Sequence, residues 1–209
     1  MPSRLVPLFP LQAVVFPRCV LPLHIFEERY KTMVGDAIRD KSEFGVVLAR
    51  ENTVVNVGCT VAVERVLHAY PDGRLDILTR GRRRFQIVAL NEEKNYLQGE
   101  LVFFDDDDPS PVPPDLREAA LAGFRDLRPY VSISGHAEPD LSDPQLSFQL
   151  AQFLPDVDML NLLLAQRSET GRLQRLNQYL SEYIPRQRLI AHVREVAPTN
   201  GRSRHPAGF

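Results

Sequence analysis

Residues 5–30, LVPLFPLQAVVFPRCVLPLHIFEERY, form an apolar run broken by Pro7, Pro10, Pro17 and Pro22. Each proline removes a backbone donor and fixes φ, so this run can be neither a membrane-spanning helix nor a long central strand. It must be short extended pieces joined by bends, as at the start of a small barrel. From Phe26 onward the pattern changes. Phe26, Tyr30, Met33, Val34, Ala37 and Ile38 recur at helical spacing, with charged residues between them. The expected order is strand, bend, strand, amphipathic helix.

Residues 44–104 read as strands. Phe44 to Leu48 is a short apolar run, and Val61, Val63, Val66 and Leu67 form a second stretch rich in β-branched residues. Tyr70, Pro71, Asp72, Gly73 and Arg74 supply turn chemistry before Leu75, Ile77 and Leu78, which predicts a hairpin. Gly81 and the basic run Arg82 to Arg84 interrupt the pattern, then Phe85, Ile87, Val88 and Leu90 resume it. A last strand is expected over 96–104. Five or more short strands with one early helix suggest a closed or nearly closed β-barrel. Residues 105–115 combine four adjacent aspartates with four prolines, a composition that links rather than packs. A calcium loop would space its ligands and carry a turn glycine, which this run lacks.

Beyond that linker everything reads as helix. Leu116 to Tyr130 is apolar at 116, 120, 121, 124 and 127. Asp143 is a candidate N-cap with Pro144 at the first helical position. Residues 157–164 leave hardly any polar face, which predicts a buried helix. A longer helix starts at Ser168 and carries Leu173, Leu176, Leu180 and Tyr183, with Pro185 expected to kink or split it. The tail 198–209 is polar. The expected architecture is α+β: a barrel over 1–104 with one inserted helix, a linker over 105–115, a helical bundle over 116–197 and a flexible tail over 198–209.

The wording PLFPL, VVFP and LPLHIFEERY, continued by FGVVLARE at 44–51, VGCTVAVERV at 57–66 and PDGRLDILTRGRRRFQIVAL at 71–90, resembles the substrate-binding domain at the N-terminus of the ATP-dependent Lon proteases. In the C-terminal half, LPDVDMLNLLLAQRSETGRLQRLNQYL resembles the helical part of that domain in layout. The resemblance implies a PUA-like barrel and a stand-alone module that binds exposed apolar segments of unfolded or client polypeptides, alongside a separate protease. It does not imply peptide hydrolysis. No GxxxxGK[ST] phosphate cradle is present, and the chain offers no segment for a Ser and Lys proteolytic domain.

Charge and composition narrow the alternatives. Lys plus Arg number 25 against 27 Asp plus Glu, so no global attraction to nucleic acid or anionic membrane is expected. Cys19 and Cys59 have no CxxC spacing, and the five histidines show no metal-ligand spacing, so neither a disulfide framework nor a cofactor is expected. With no tryptophan for an aromatic cage and no cysteine quartet for zinc, a zinc-bearing degron receptor is disfavoured. No signal peptide or membrane segment is evident, which makes a cytoplasmic location the default. For peptide binding the candidates are Phe16, Val20 and Phe103, which flank bends or strand ends where a side chain can stay exposed. A competing reading places RNA or nucleotide binding at the Arg80–Arg84 cluster, through Arg82 and Arg84 on one strand face; the alternative for these arginines is a solvated strand or ion pairing with Asp105 to Asp108. A third, an uncharacterised hydrolase, has only Cys19 and His24 to offer as nucleophile and base.

Overall fold

A computed structural model of the chain describes residues 5–51, 53–108, 110–131 and 138–196. Its order begins β1 (Val6–Leu11), β2 (Val20–Ile25), α1 (Glu28–Asp40), β3 (Phe44–Arg50). It continues β4 (Thr53–Ala69), β5 (Leu75–Asn91), β6 (Gln98–Phe104), α2 (Pro114–Leu127) and a 3-10 turn over Arg128–Tyr130. Three further helices follow, α3 (Leu146–Ala151), α4 (Val157–Ala165) and α5 (Glu169–Val196). The expected α+β order is thus present, with α1 inserted between β2 and β3. The expected tail over 198–209 lies outside the described residues.

Only Pro17 sits in a bend of the kind expected; Pro7 and Pro10 lie within β1 and Pro22 within β2, where each removes one backbone donor from a short strand. Between β1 and β2 the chain turns over Phe16–Cys19, where Arg18 takes φ 66° and the Cys19 N–H donates to the Phe16 carbonyl at 3.2 Å. This turn is pinned to β5: the Arg18 N–H donates to the Gly81 carbonyl at 2.8 Å and the Gly81 N–H to the Cys19 carbonyl at 2.9 Å. A Cβ at Gly81 would stand 2.0 Å from the Phe16 carbonyl oxygen, so only glycine lets the two backbones approach this closely.

The strands pair in the order β2-β5-β4-β3-β1-β6, and β6 returns to pair with β5. The barrel is not closed, because β1 and β6 share only the register pairs Val6↔Gly99 and Pro7↔Gln98. Its interior is a small core of Leu8, Val47 and Phe85, joined by Val54, Ile87, Leu97 and Leu101. Gly45 and Gly58 make room for the Phe85 ring. A Cβ on either would come within 2.7 Å of Phe85 Cζ. The hairpin between β4 and β5 closes as expected over Tyr70–Arg74, with Gly73 at φ 82° and its N–H donating to the Tyr70 carbonyl at 3.0 Å.

β4 and β5 are each 17 residues long and uninterrupted, where the sequence pattern suggested shorter pieces broken at Gly81–Arg84. Their distal halves, with β2, form a three-stranded ribbon extending from the barrel. On the other face of the strands a second, much larger core begins with Phe9, Val46, Cys59, Val61 and Ile77. It takes in Tyr30, Met33 and Val34 of α1 and continues without a break through Phe124, Phe148, Leu163, Leu176 and Leu180 of the helices.

Three local expectations are corrected. Asp143 does not cap α3; its carboxylate accepts from the Gln145 N–H at 2.7 Å in a turn before the helix starts at Leu146. Helix α4 buries Leu160, Leu163 and Leu164 but leaves Leu162 exposed. Helix α5 runs through Pro185 without splitting, since Ile184 is buried and Arg188 pairs with Asp126 of α2 on either side of the proline. No described helix is long and apolar enough to cross a membrane.

Candidate functional site

The basic cluster does not face solvent as one patch. Between the register pairs Cys59↔Arg84 and Val61↔Gly81, β4 advances two residues while β5 advances three, so β5 carries a bulge. The extra residue breaks the alternation expected of a regular strand. Arg82 and Arg83 are exposed, whereas Arg84 turns inward and is buried. Arg84 Nη2 donates to Asp106 at 2.6 Å, and its Nη1 donates to the Leu164 and Gln166 carbonyls at 3.2 and 2.8 Å. Arg172 of α5 grips the same carboxylate in bidentate fashion, at 2.6 Å to each oxygen, and also reaches Glu169, itself bonded to Ser147. Arg84 is therefore an internal tie between β5, the acidic segment and α5, and it is not available to an anion. The acidic run supplies the central ion of that tie.

The electrostatics follow from this burial. Desolvation raises the Asp106 pKa, but the hydrogen bonds and charge of Arg172 and the charge of Arg84 outweigh it and hold the carboxyl at about 2. Burial lowers the Arg84 pKa against the attraction of Asp106. Burial also raises the Glu169 pKa, partly offset by its Ser147 and Arg172 hydrogen bonds.

The other candidates separate. Phe16 is fully buried and its ring stacks on Phe148 at 5.0 Å between centroids, so it belongs to the core and cannot meet a partner. The bend around Pro17 turns it inward. Val20 is half-buried, opposite Arg80, and lines a notch of about 270 Å³ with Arg18 and Asp143. Phe103 is 39% exposed on β6, with the Arg83 guanidinium 3.8 Å above its ring. Cys19 and His24 do not form a nucleophile and base pair. Burial, reinforced by Asp143, pushes the Cys19 thiol up to about 12, while His24 Nδ1 lies 2.6 Å from Asp76 Oδ1. Burial raises the Cys59 thiol as well.

Further exposed apolar residues on the barrel strands were not among the sequence candidates. On the outward face of β5 and β6, Val88 is 64% exposed and Val102 54% exposed. Val102 stands opposite Gln86 on that face, whereas Leu90, also exposed, pairs with Gly99, whose face meets Leu8 of the barrel core, and so lies on the other side of the sheet. A register shift between Ile87 and Ala89 places Val88 at a bulge. The neighbouring Ile87 and Leu101 pack inward on the barrel core. The sequence signal was the unbroken apolar pair Ile87–Val88, whose two residues must face opposite ways in a strand. Among the described residues no group of His, Cys, Asp or Glu could hold a metal ion.

Comparison with known proteins adds family context. The family model for the ATP-dependent protease La (LON) substrate-binding domain matches residues 5–188. Curated relatives include a Lon protease of Parabacteroides distasonis, 28% identical over 131 residues that cover 58% of this chain and 16% of the relative. Another is Lon protease 2 of Desulfotalea psychrophila, 30% identical over 108 residues covering 47% of this chain and 14% of the relative. The chain thus spans about one-sixth or less of the length of these relatives. Among solved structures, a Lon N-terminal domain protein from Xanthomonas campestris aligns at TM-score 0.66 and 28% identity, covering 83% of this chain and 96% of that one. The N-terminal domain of a Mycobacterium avium complex Lon protease shares the fold at TM-score 0.62 and 16% identity, with 86% and 100% covered.

Proposed function

Because the chain belongs to the ATP-dependent protease La (LON) substrate-binding domain family, we propose that it binds exposed apolar segments of client polypeptides and passes them to a separate protease. The observation that carries this reading is the outward apolar strip of Val88 and Val102, which lies beyond both cores. An unfolded chain offers apolar side chains that such a strip removes from water. Phe103, under the Arg83 guanidinium, pairs with Phe85 and faces the opposite side of the sheet, so it is not part of this strip. Nucleic-acid binding loses its best residue once Arg84 is spent on Asp106.

The test is titration of the protein with a reduced and alkylated, permanently unfolded polypeptide, followed by the variants Val88→Asp and Val102→Asp. Burying a valine contributes about 1.5 kcal/mol, so each variant should weaken binding about tenfold or more, with far-UV circular dichroism unchanged. No binding by the parent protein, or binding by both variants as tight as the parent's, would overturn the proposal.

A further inference from the structure

We infer that the free edge of β4 over residues 62–69 is a strand-addition site for the extended backbone of a client polypeptide. The pairing of β4 with β3 ends at Phe44↔Val61, while its pairing with β5 continues to Ala69↔Leu75. From Ala62 onward β4 therefore has a strand on one side only, among the described residues. Glu64 through Ala69 are all exposed, including Val66 and Leu67. A strand edge of this kind presents backbone N–H and C=O groups whose natural complement is another extended backbone.

The ribbon has a second outer edge, on β2, and the two are not equivalent. β2 carries Pro22 at its middle, which lacks a donor. The segment AVERVLHA of β4 contains no proline. The occupant is an apolar segment rather than a charged one. The Glu64 carboxylate is taken by Arg80 at 2.5 Å, and Val66 and Leu67 lie midway along the edge. Register shifts between Val63 and Arg65 and between Val66 and His68 bend this edge, a device that works against flat pairing of two copies. This inference rests on the polypeptide-binding reading and adds a main-chain contact at the β4 edge, at the far end of β5 from Val88.

The experiment compares a short apolar peptide with the same peptide methylated on alternate backbone nitrogens, titrated into the whole chain, with amide hydrogen exchange of residues 62–69 followed by NMR. Strand addition predicts slowed exchange within 62–69 on binding the parent peptide, and affinity about tenfold or more weaker for the methylated one, the loss expected when several backbone hydrogen bonds cannot form. Equal affinity for the two peptides, or unaltered exchange at 62–69, overturns strand addition and leaves polypeptide binding standing. Failure of the parent peptide to bind overturns both. A dimer in light scattering whose exchange at 62–69 is already slow without peptide would assign the edge to a second copy and overturn the inference too.

Discussion

At the residue scale, Asp106 joins more of the molecule than any other side chain in the acidic run. Both guanidinium groups it meets are almost wholly inaccessible, at 1% for Arg84 and 0% for Arg172; Arg84 is ion-paired to this carboxylate, and Arg172 shares it with Glu169. Replacing it with an apolar isostere would leave the buried Arg84 without its ion pair, and the loss on breaking such a pair is about 3–5 kcal/mol. Asp106→Asn should destabilise the chain by about 3 kcal/mol at neutral pH, read as a lower urea midpoint with unchanged slope. The pH dependence has a definite sign. The carboxyl is held at about 2 in the folded chain against an ordinary 3.8, so its stabilisation is present above that ordinary value and is lost as pH falls through the folded value. Glu169, whose pKa is raised, acts in the opposite sense, because the folded state favours its protonated form. Asp106 should therefore contribute to acid sensitivity between about pH 4 and about pH 2, and the Asp106→Asn variant should show a flatter curve across that window.

At the scale of elements, the legible features are those fixed by local chemistry. The hairpin over Tyr70–Arg74 could be read from its Pro, Asp and Gly, and Gly73 does adopt a positive φ. Gly73→Ala places a Cβ in a left-handed backbone and should cost about 1–2 kcal/mol in thermal unfolding while leaving polypeptide affinity unchanged. The long strands β4 and β5 were less legible. Their bulges depend on which partner residue lies opposite, and no spacing within one strand reports that. The displaced register at Gly81–Arg84 turned an apparent surface cluster into an internal tie, and the one at Val88 exposed a valine that resembles core. Inside the barrel, Phe85 fills the space left by Gly45 and Gly58. Phe85→Ala removes that filling from a core of few residues, and a loss of about 3–5 kcal/mol is expected in denaturant titration.

At the scale of the whole molecule, one apolar core runs from Phe9 of β1 to Ile184 of α5, and the Asp106 tie crosses the same junction. Strands and helices should accordingly unfold in a single calorimetric transition, and a chain cut after Phe104 should lose it, because Phe16, Cys19 and Val61 would be left without the helices that cover them. Two separate transitions would contradict this coupling. The sequence by itself determined the order of elements, the bend at Pro17, the hairpin turn and the family, because proline, glycine and the period of apolar residues act over a few neighbours. Only the tertiary structure decided which side of each strand meets a core, that Phe16 lies inside and Val88 and Val102 outside, and that among the clustered arginines and aspartates it is Arg84 that meets Asp106. Those outcomes depend on register between segments distant in the chain, where a shift of one residue reverses every side chain that follows.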